Sequence, residues 1–223
     1  MKRQSLTLRA SALTLIVGWA FTAQADDLNP PSWRLSDPDA TVQEWDFKTP
    51  TKPLAPDGNI WGSGGGGFVN PFGTPQLTTG TTSPWVPTFA GRSGVYTLAS
   101  PNDVIDFGIP NEPGGQGQKK MWIQISTFNG GTTFTPDVFI SSSSFNGPAT
   151  VVGSFFMADG WKHITYSVDM NTCPEFEQVH ITNFSPVVMG IDQVVIDTIC
   201  VPEPCTMVAL GAAAFAFVRR RRK

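Results

Sequence analysis

MWIQIS, residues 121–126, alternates without a break: Met121, Ile123 and Ile125 fall on one side of the chain, Trp122, Gln124 and Ser126 on the other. A period of two places successive side chains on opposite faces of an extended backbone, so this stretch reads as a strand with one apolar face. The pattern recurs in both directions. Upstream, Ile105, Phe107 and Ile109 share a phase within residues 103–109. Downstream, Ile164, Tyr166 and Val168 alternate with His163, Thr165 and Ser167, and Val194 and Ile196 alternate with Gln193, Val195 and Asp197, where Val195 blurs the rule. The longest stretches free of Gly and Pro, such as residues 161–173, carry no 3.6-residue stripe, and no helix is expected between the two ends of the chain.

Turn chemistry separates the strands: the run Asn111 to Gly117, then Asn129-Gly130-Gly131, Asn146-Gly147-Pro148, Asp159-Gly160 and Cys173-Pro174. Many short strands joined this way predict an all-β fold, an antiparallel β-sandwich. The stretches 160–166 (GWKHITY) and 191–197 (IDQVVID) resemble strands of jelly-roll domains of the carbohydrate-binding or galactose-binding type, which implies a jelly-roll-like sandwich. Ahead of these, Pro30-Pro31, Asp57-Gly58, the glycine run from Gly62 to Gly67 and Asn70-Pro71 break up any long element, while residues 42–47 read as a strand. A loop-rich N-terminal part that wraps the sandwich is expected. The glycine run is not a phosphate loop, since no Lys-Ser or Lys-Thr follows it.

The two ends have a different character. Residues 1–9 carry Lys2, Arg3 and Arg9 without an acid, residues 10–22 are largely apolar, and Ala23-Gln24-Ala25 follows. This is the pattern of a secretory signal peptide, residues 1–25, with cleavage expected after Ala25 on the small residues Ala23 and Ala25. At the other end, residues 206–218 are uncharged, roughly 20 Å as a helix against a hydrocarbon core of roughly 30 Å. A transmembrane helix that short inserts only with local thinning, Arg219 snorkelling to the headgroups. The cluster Arg219, Arg220, Arg221, Arg222 and Lys223 holds that end in the cytoplasm and leaves Pro202-Glu203-Pro204 outside. The two prolines keep this stretch extended and accessible to an enzyme.

Val201-Pro202-Glu203-Pro204, a short apolar helix and a terminal Arg cluster together resemble the PEP-CTERM sorting signal of exported bacterial proteins. The resemblance spans residues 201–223 and implies handling by an exosortase, a membrane-embedded transpeptidase-like cysteine enzyme, in a host that makes extracellular polysaccharide. Cys205 stands where the family usually has a small residue. Expected organisation is therefore a signal peptide (1–25), a β-sandwich domain (26–200) and a sorting signal (201–223). Signal peptidase, the secretion machinery and an exosortase are the implied partners, with transient anchoring in the inner membrane through residues 206–218. The implied destination is the cell envelope or extracellular matrix.

Charge supports export without nucleic acid. All 18 acids lie between Asp26 and Glu203, whereas that stretch holds only seven cations, a formal charge of −11 that the whole-chain value of −3 conceals. The seven, Arg34, Lys48, Lys52, Arg92, Lys119, Lys120 and Lys162, are scattered along the chain, and phosphate binding needs them clustered. The three cysteines leave at least one unpaired in an exported chain. Cys173, at a turn, and Cys200, in phase with Val194 and Ile196, are paired as a possible disulfide, and Cys205 belongs to the tail. No Cys-x-x-Cys spacing supports zinc. Calcium suits Asp/Asn-rich loops of such a domain, but no loop spells a defined site, so no cofactor is expected.

Candidates for catalysis are few. His163 and His180 are the two histidines, each on an expected strand, and both read as solvent-facing residues; a Ser-His-Asp arrangement finds no support in their spacing. Glycoside hydrolysis needs two carboxylates about 5 to 10 Å apart. Glu175 and Glu177 would share a strand face, yet EFEQVH does not match the Glu-x-Asp-x-x-Glu pattern of laminarinase-like hydrolases, and the pair reads as a solvated acidic edge. Six tryptophans lie outside the signal peptide: Trp33, Trp45, Trp61, Trp85, Trp122 and Trp161. Trp122 and Trp161 fall on the polar phase of their strands and are candidates for sugar stacking. The expectation is an exported, non-catalytic β-sandwich protein associated with exopolysaccharide. The alternatives are a polysaccharide-degrading enzyme and a purely structural matrix protein without ligand.

Overall fold

The computed structural model describes residues 27–202 apart from 35, 38–39, 53, 58–69, 71, 80–82 and 101–102. The expected signal peptide, residues 1–25, and residues 203–223 of the sorting signal lie outside the described residues. Within them the chain is all-β, with two antiparallel sheets and no helix. One sheet has seven strands in the order β3 (Trp85–Phe89), β4 (Arg92–Leu98), β12 (Met189–Val201), β6 (Gln118–Phe128), β10 (Lys162–Met170) and β9 (Thr150–Phe156), with β1 (Thr41–Trp45) pairing β12 beyond the end of β4. The other has five, in the order β2 (Gln76–Thr79), β5 (Val104–Pro110), β11 (Phe176–Thr182), β7 (Asp137–Ser142) and β8 (Asn146–Pro148). The chain changes sheet at every step from β4 to β7 and again from β10 to β12.

The alternation places the core. Ile105, Phe107 and Ile109 of the small sheet and Met121, Ile123 and Ile125 of the large one all face inward and are buried. Trp45 closes one side, its ring edge-on to Phe107 at 4.7 Å and its indole N–H donated to the Leu54 carbonyl at 3.1 Å. Ile191 and Val194 both reach this core although they are three apart. A bulge between Ile191 and Gln193 adds the extra residue that restores the phase. Val195, which blurred the alternation, is buried on the opposite face of β12.

Asn146-Gly147-Pro148 is not a turn but the short edge strand β8, paired with Phe139, Ile140 and Ser141. Pro is tolerated at a sheet edge, where its missing N–H faces no neighbour. The other turn signals fall between strands, and Gly130, Gly131 and Gly160 adopt the positive φ that such turns require.

The N-terminal segment lies across the outer face of the seven-stranded sheet. The Asn29 backbone N–H donates to the Gln124 side chain (2.7 Å), its amide donates to the Thr165 hydroxyl (3.1 Å), and its carbonyl accepts the Trp122 indole N–H (2.7 Å). Arg34 then pairs with Asp27 and Asp197.

Cys173 and Cys200 form a disulfide, with Cα atoms 5.9 Å apart and a sequence separation of 27. It ties the turn after β10 to the end of β12, one residue before Val201 pairs with Gln118 and closes the strand. In the chain-entropy account a loop of this length is worth about 3.5 kcal/mol. The oxidised protein is expected to melt about 10 °C above the reduced one; coincident melting curves in calorimetry with and without reductant would contradict this.

Candidate functional site

Alternation leaves the outer face of the five-stranded sheet with an unusual set of side chains. On β5 the outward phase carries Asp106 and Gly108, on β11 Phe176, Gln178 and His180, and on β7 Phe139 and Ser141. His180 is opposite Asp106 in register, and Gln178 is opposite both Gly108 and Ser141. Phe139 and Phe176 remain 37% and 49% exposed. Gly108 explains how Phe176 lies there: a Cβ on it would come within 2.8 Å of the Phe176 ring, so the bare backbone gives the ring a seat on the sheet.

Three of the polar groups form a connected row across neighbouring strands. His180 Nδ1 is 2.6 Å from Asp106 Oδ1, and His180 Nε2 is 2.8 Å from Ser141 Oγ. All three groups are satisfied at once when Nδ1 carries the proton and donates to the carboxylate, leaving Nε2 to accept from the hydroxyl. The His180 and Asp106 side chains keep 26% and 21% exposure, so the row is open to solute. A groove of about 540 Å³, lined by His180, Phe139, Phe184 and Tyr166, runs along one side, and one of about 620 Å³, lined by Ser141, Gln178 and Phe176, along the other. In the first groove the Tyr166 hydroxyl donates to the Pro136 carbonyl at 2.6 Å.

The residues singled out in the sequence lie elsewhere. Trp161 is fully buried, not a platform: its ring lies 5.6 Å from Phe128 and 4.7 Å from the Arg92 guanidinium, which Asp159 and Asp192 hold in place. Trp122 does face outward and is half-buried, its indole N–H donated to the Asn29 carbonyl of the N-terminal segment. The polar phase is thus partly packed over, and Trp161 is buried in that layer. Trp45 belongs to the core, Trp85 packs against it, and Trp61 lies outside the described residues.

Other readings need correction too. His163 is buried rather than solvent-facing, with Phe155 5.1 Å from it across the β9–β10 pair. Glu177 is not part of a solvated edge. It points inward in phase with Val179 and Ile181, is fully buried, and meets Lys119 and Asn111, while Glu175 before the strand is exposed. The two carboxylates therefore occupy different environments. The spacing of Ser141 and Asp106, 39 and 74 residues from His180, carries no local signal. Only the order β5-β11-β7 brings them together. Among the described residues no three His, Cys, Asp or Glu side chains are grouped to hold a metal ion.

An all-β exported body with a C-terminal address is the class these features define. Residues 201–223 match the family model of the PEP-CTERM protein-sorting motif, so the chain carries the sorting signal on which exosortase processing acts. No curated protein matches the chain. Among solved structures it is similar to the enzymatically active domain of tailspike protein 4 of bacteriophage CBA120, at 12% identity and a TM-score of 0.21. That match covers 71% of this chain and 19% of the other, so the chain spans about a fifth of that structure's length, a likeness too slight to inform its fold or activity.

Proposed function

We propose that the protein is exported, released from its membrane anchor by an exosortase, and held in the extracellular polysaccharide through the outer face of its five-stranded sheet, without cleaving glycosidic bonds. The observation that carries the reading is the pair of exposed rings, Phe139 and Phe176, set on one sheet face beside Gln178, His180, Asp106 and Ser141. Flat apolar surfaces next to fixed polar groups suit the alternating apolar and hydroxyl faces of sugar rings. The shuttling strand order, β4-β12-β6-β10 against β5-β11-β7-β8, is that of a jelly roll, in which a sheet face of this kind is available to a chain-like ligand. The separation of Glu175 from buried Glu177 is what speaks against hydrolysis.

Affinity electrophoresis of the full chain in detergent, through gels containing the host's exopolysaccharide, tests this. Retardation is expected, and Phe176→Ala or Phe139→Ala should each weaken it roughly fivefold, for about 1 kcal/mol of lost stacking. Trp122→Ala should leave it unchanged. Loss of retardation with Trp122→Ala and not with Phe176→Ala would move the site to the other sheet.

A second reading, structural assembly without ligand, rests on the edge strand β9. Its sequence TVVGSFF is uncharged, and Val151, Val152, Phe155 and Phe156 are all exposed, the features of an edge that pairs with another chain. Unchanged migration in every gel together with concentration-dependent association would favour it.

A further inference from the structure

The geometry points to a second capacity of the same face: Ser141, His180 and Asp106 form an acyl-transfer site acting on neutral carboxylic esters borne by the polymer. The choice of a polymer-borne ester rests on the binding reading above; the chemistry of the row does not.

Nucleophilic catalysis is recognised by a nucleophile and base within hydrogen-bond reach and a third group orienting the base. Here those distances are 2.8 Å and 2.6 Å, from three separate strands whose ladder holds the backbones fixed. His180 is also backed by Phe139, 6.4 Å between ring centroids. The tautomer that satisfies the row leaves Nε2 free to take a proton from Ser141 Oγ. An oxyanion must then be met by a side chain, because β11 and β8 flank β7 and occupy its backbone. Gln178 is opposite Ser141 in register, points to the same face, and its carboxamide has no hydrogen bond among the described residues. Amide side chains serve in that role elsewhere.

The reaction balances without a co-reactant other than water. Ser141 Oγ bonds to the acyl carbon as its proton passes to His180 Nε2; the ester C–O bond breaks and that proton goes to the departing sugar oxygen. Water then attacks the acyl-serine, gives its proton to Nε2, and the Oγ–C bond breaks with return of that proton to Ser141, releasing the carboxylic acid. Asp106 is a positioning residue, since it acts through His180. Substrate charge follows from the surroundings. Asp137 and Glu175 line the two grooves and neither groove contains a Lys or Arg among the described residues, so a neutral acyl ester is favoured over a phosphate or sulfate ester.

The test uses the full chain in detergent with a fluorophosphonate probe, read by peptide mass, and with acetate release from p-nitrophenyl acetate and from O-acetylated xylan. Labelling at Ser141 is expected, together with acetate release from both esters. Ser141→Ala should abolish both, and His180→Ala should slow both at least about 100-fold. Asp106→Asn should slow them and Asp106→Glu restore part of the rate, which a merely structural role would not produce. All these side chains point outward, so unchanged melting is the check that the variants fold. Absence of the label on Ser141 in folded protein, or an equal labelling rate in His180→Ala, overturns the assignment. Phe176→Ala is expected to weaken gel retardation roughly fivefold yet keep labelling by the small probe. Labelling without retardation would therefore sink the polymer-binding reading alone, and retardation without labelling would sink the acyl-transfer site alone.

Discussion

Lys119→Met is expected to destabilise the folded protein by about 3 to 5 kcal/mol, a fall in melting temperature of roughly 10 °C. Lys119 lies on the inward phase of β6, with Met121, Ile123 and Ile125, and Glu177 on the inward phase of β11, with Val179 and Ile181, so the pair bridges the two sheets at one end of the core. The two charges are 3.4 Å apart, Lys119 Nζ also donates to Asn111 Oδ1 at 2.5 Å, and the Asn111 amide donates to Glu177 and to the Pro174 carbonyl. Burial pulls both toward neutrality, lowering the Lys119 ammonium and raising the Glu177 carboxyl, while their mutual attraction opposes it. Removing Lys119 leaves the desolvated Glu177 carboxylate with the Asn111 amide but no opposite charge. Removing both does not: the double variant Lys119→Met, Glu177→Met should recover most of the loss, because buried ion pairs seldom outperform apolar packing of similar volume. Chemical denaturation of the four proteins of this cycle decides it. A single variant as stable as the parent would mean that water reaches the pair.

Arg34→Met is expected to cost about 3 kcal/mol at pH 8 and clearly less at pH 5. Arg34 is nearly buried between Asp27 and Asp197, and Asp197 is wholly buried at the centre of β12, opposite Val42 and Trp122. Burial pushes the Asp197 carboxyl up to about 7, against the hydrogen bonds and charge of Arg34 that pull it down. Arg34 itself moves the other way from what burial alone would do, raised by its two carboxylate partners. A carboxyl raised in the folded state favours folding below its unfolded value near 4, and that contribution is lost as pH rises through 7. Without Arg34 the Asp197 carboxyl rises further, so the variant suffers most where Asp197 must be ionised and escapes by protonation at pH 5. Denaturant titrations at the two pH values measure the difference. Equal losses at both would show that the segment 27–34 lifts away and lets water hydrate Asp197.

Both predictions concern charges buried in the fold, of which Glu177 reads from the linear sequence as solvated. Glu177 and Lys119 are polar letters at the ends of apolar alternations, and a strand pattern read alone ends where the first charge appears. Structurally the phase runs on through them, which is why Glu177 read as an acidic edge and is instead an inter-sheet tie. Trp161 is no platform for a related reason. A strand's second face looks solvent-directed from its polar phase, but the segment from Asp27 to Arg34 and the Arg92 cluster pack on parts of that face of the large sheet. The outer face of the small sheet carries Phe139, Phe176, Gln178, His180, Asp106 and Ser141, a set that no local pattern of the sequence marked.

Alternation, turn residues, the terminal charge clusters and the Pro-Glu-Pro stretch are properties of neighbouring residues, so all-β character, strand positions, export and the sorting motif could be read from the chain without a fold. Which strands become neighbours depends on the inter-sheet core and on loop closure over tens of residues. That alone decides that Asp106, Ser141 and His180 share a row, that Glu177 meets Lys119 across the sandwich, and that Trp161 is buried. A strand pattern specifies which side chains share a face, and only the packing of the two sheets determines which faces meet water.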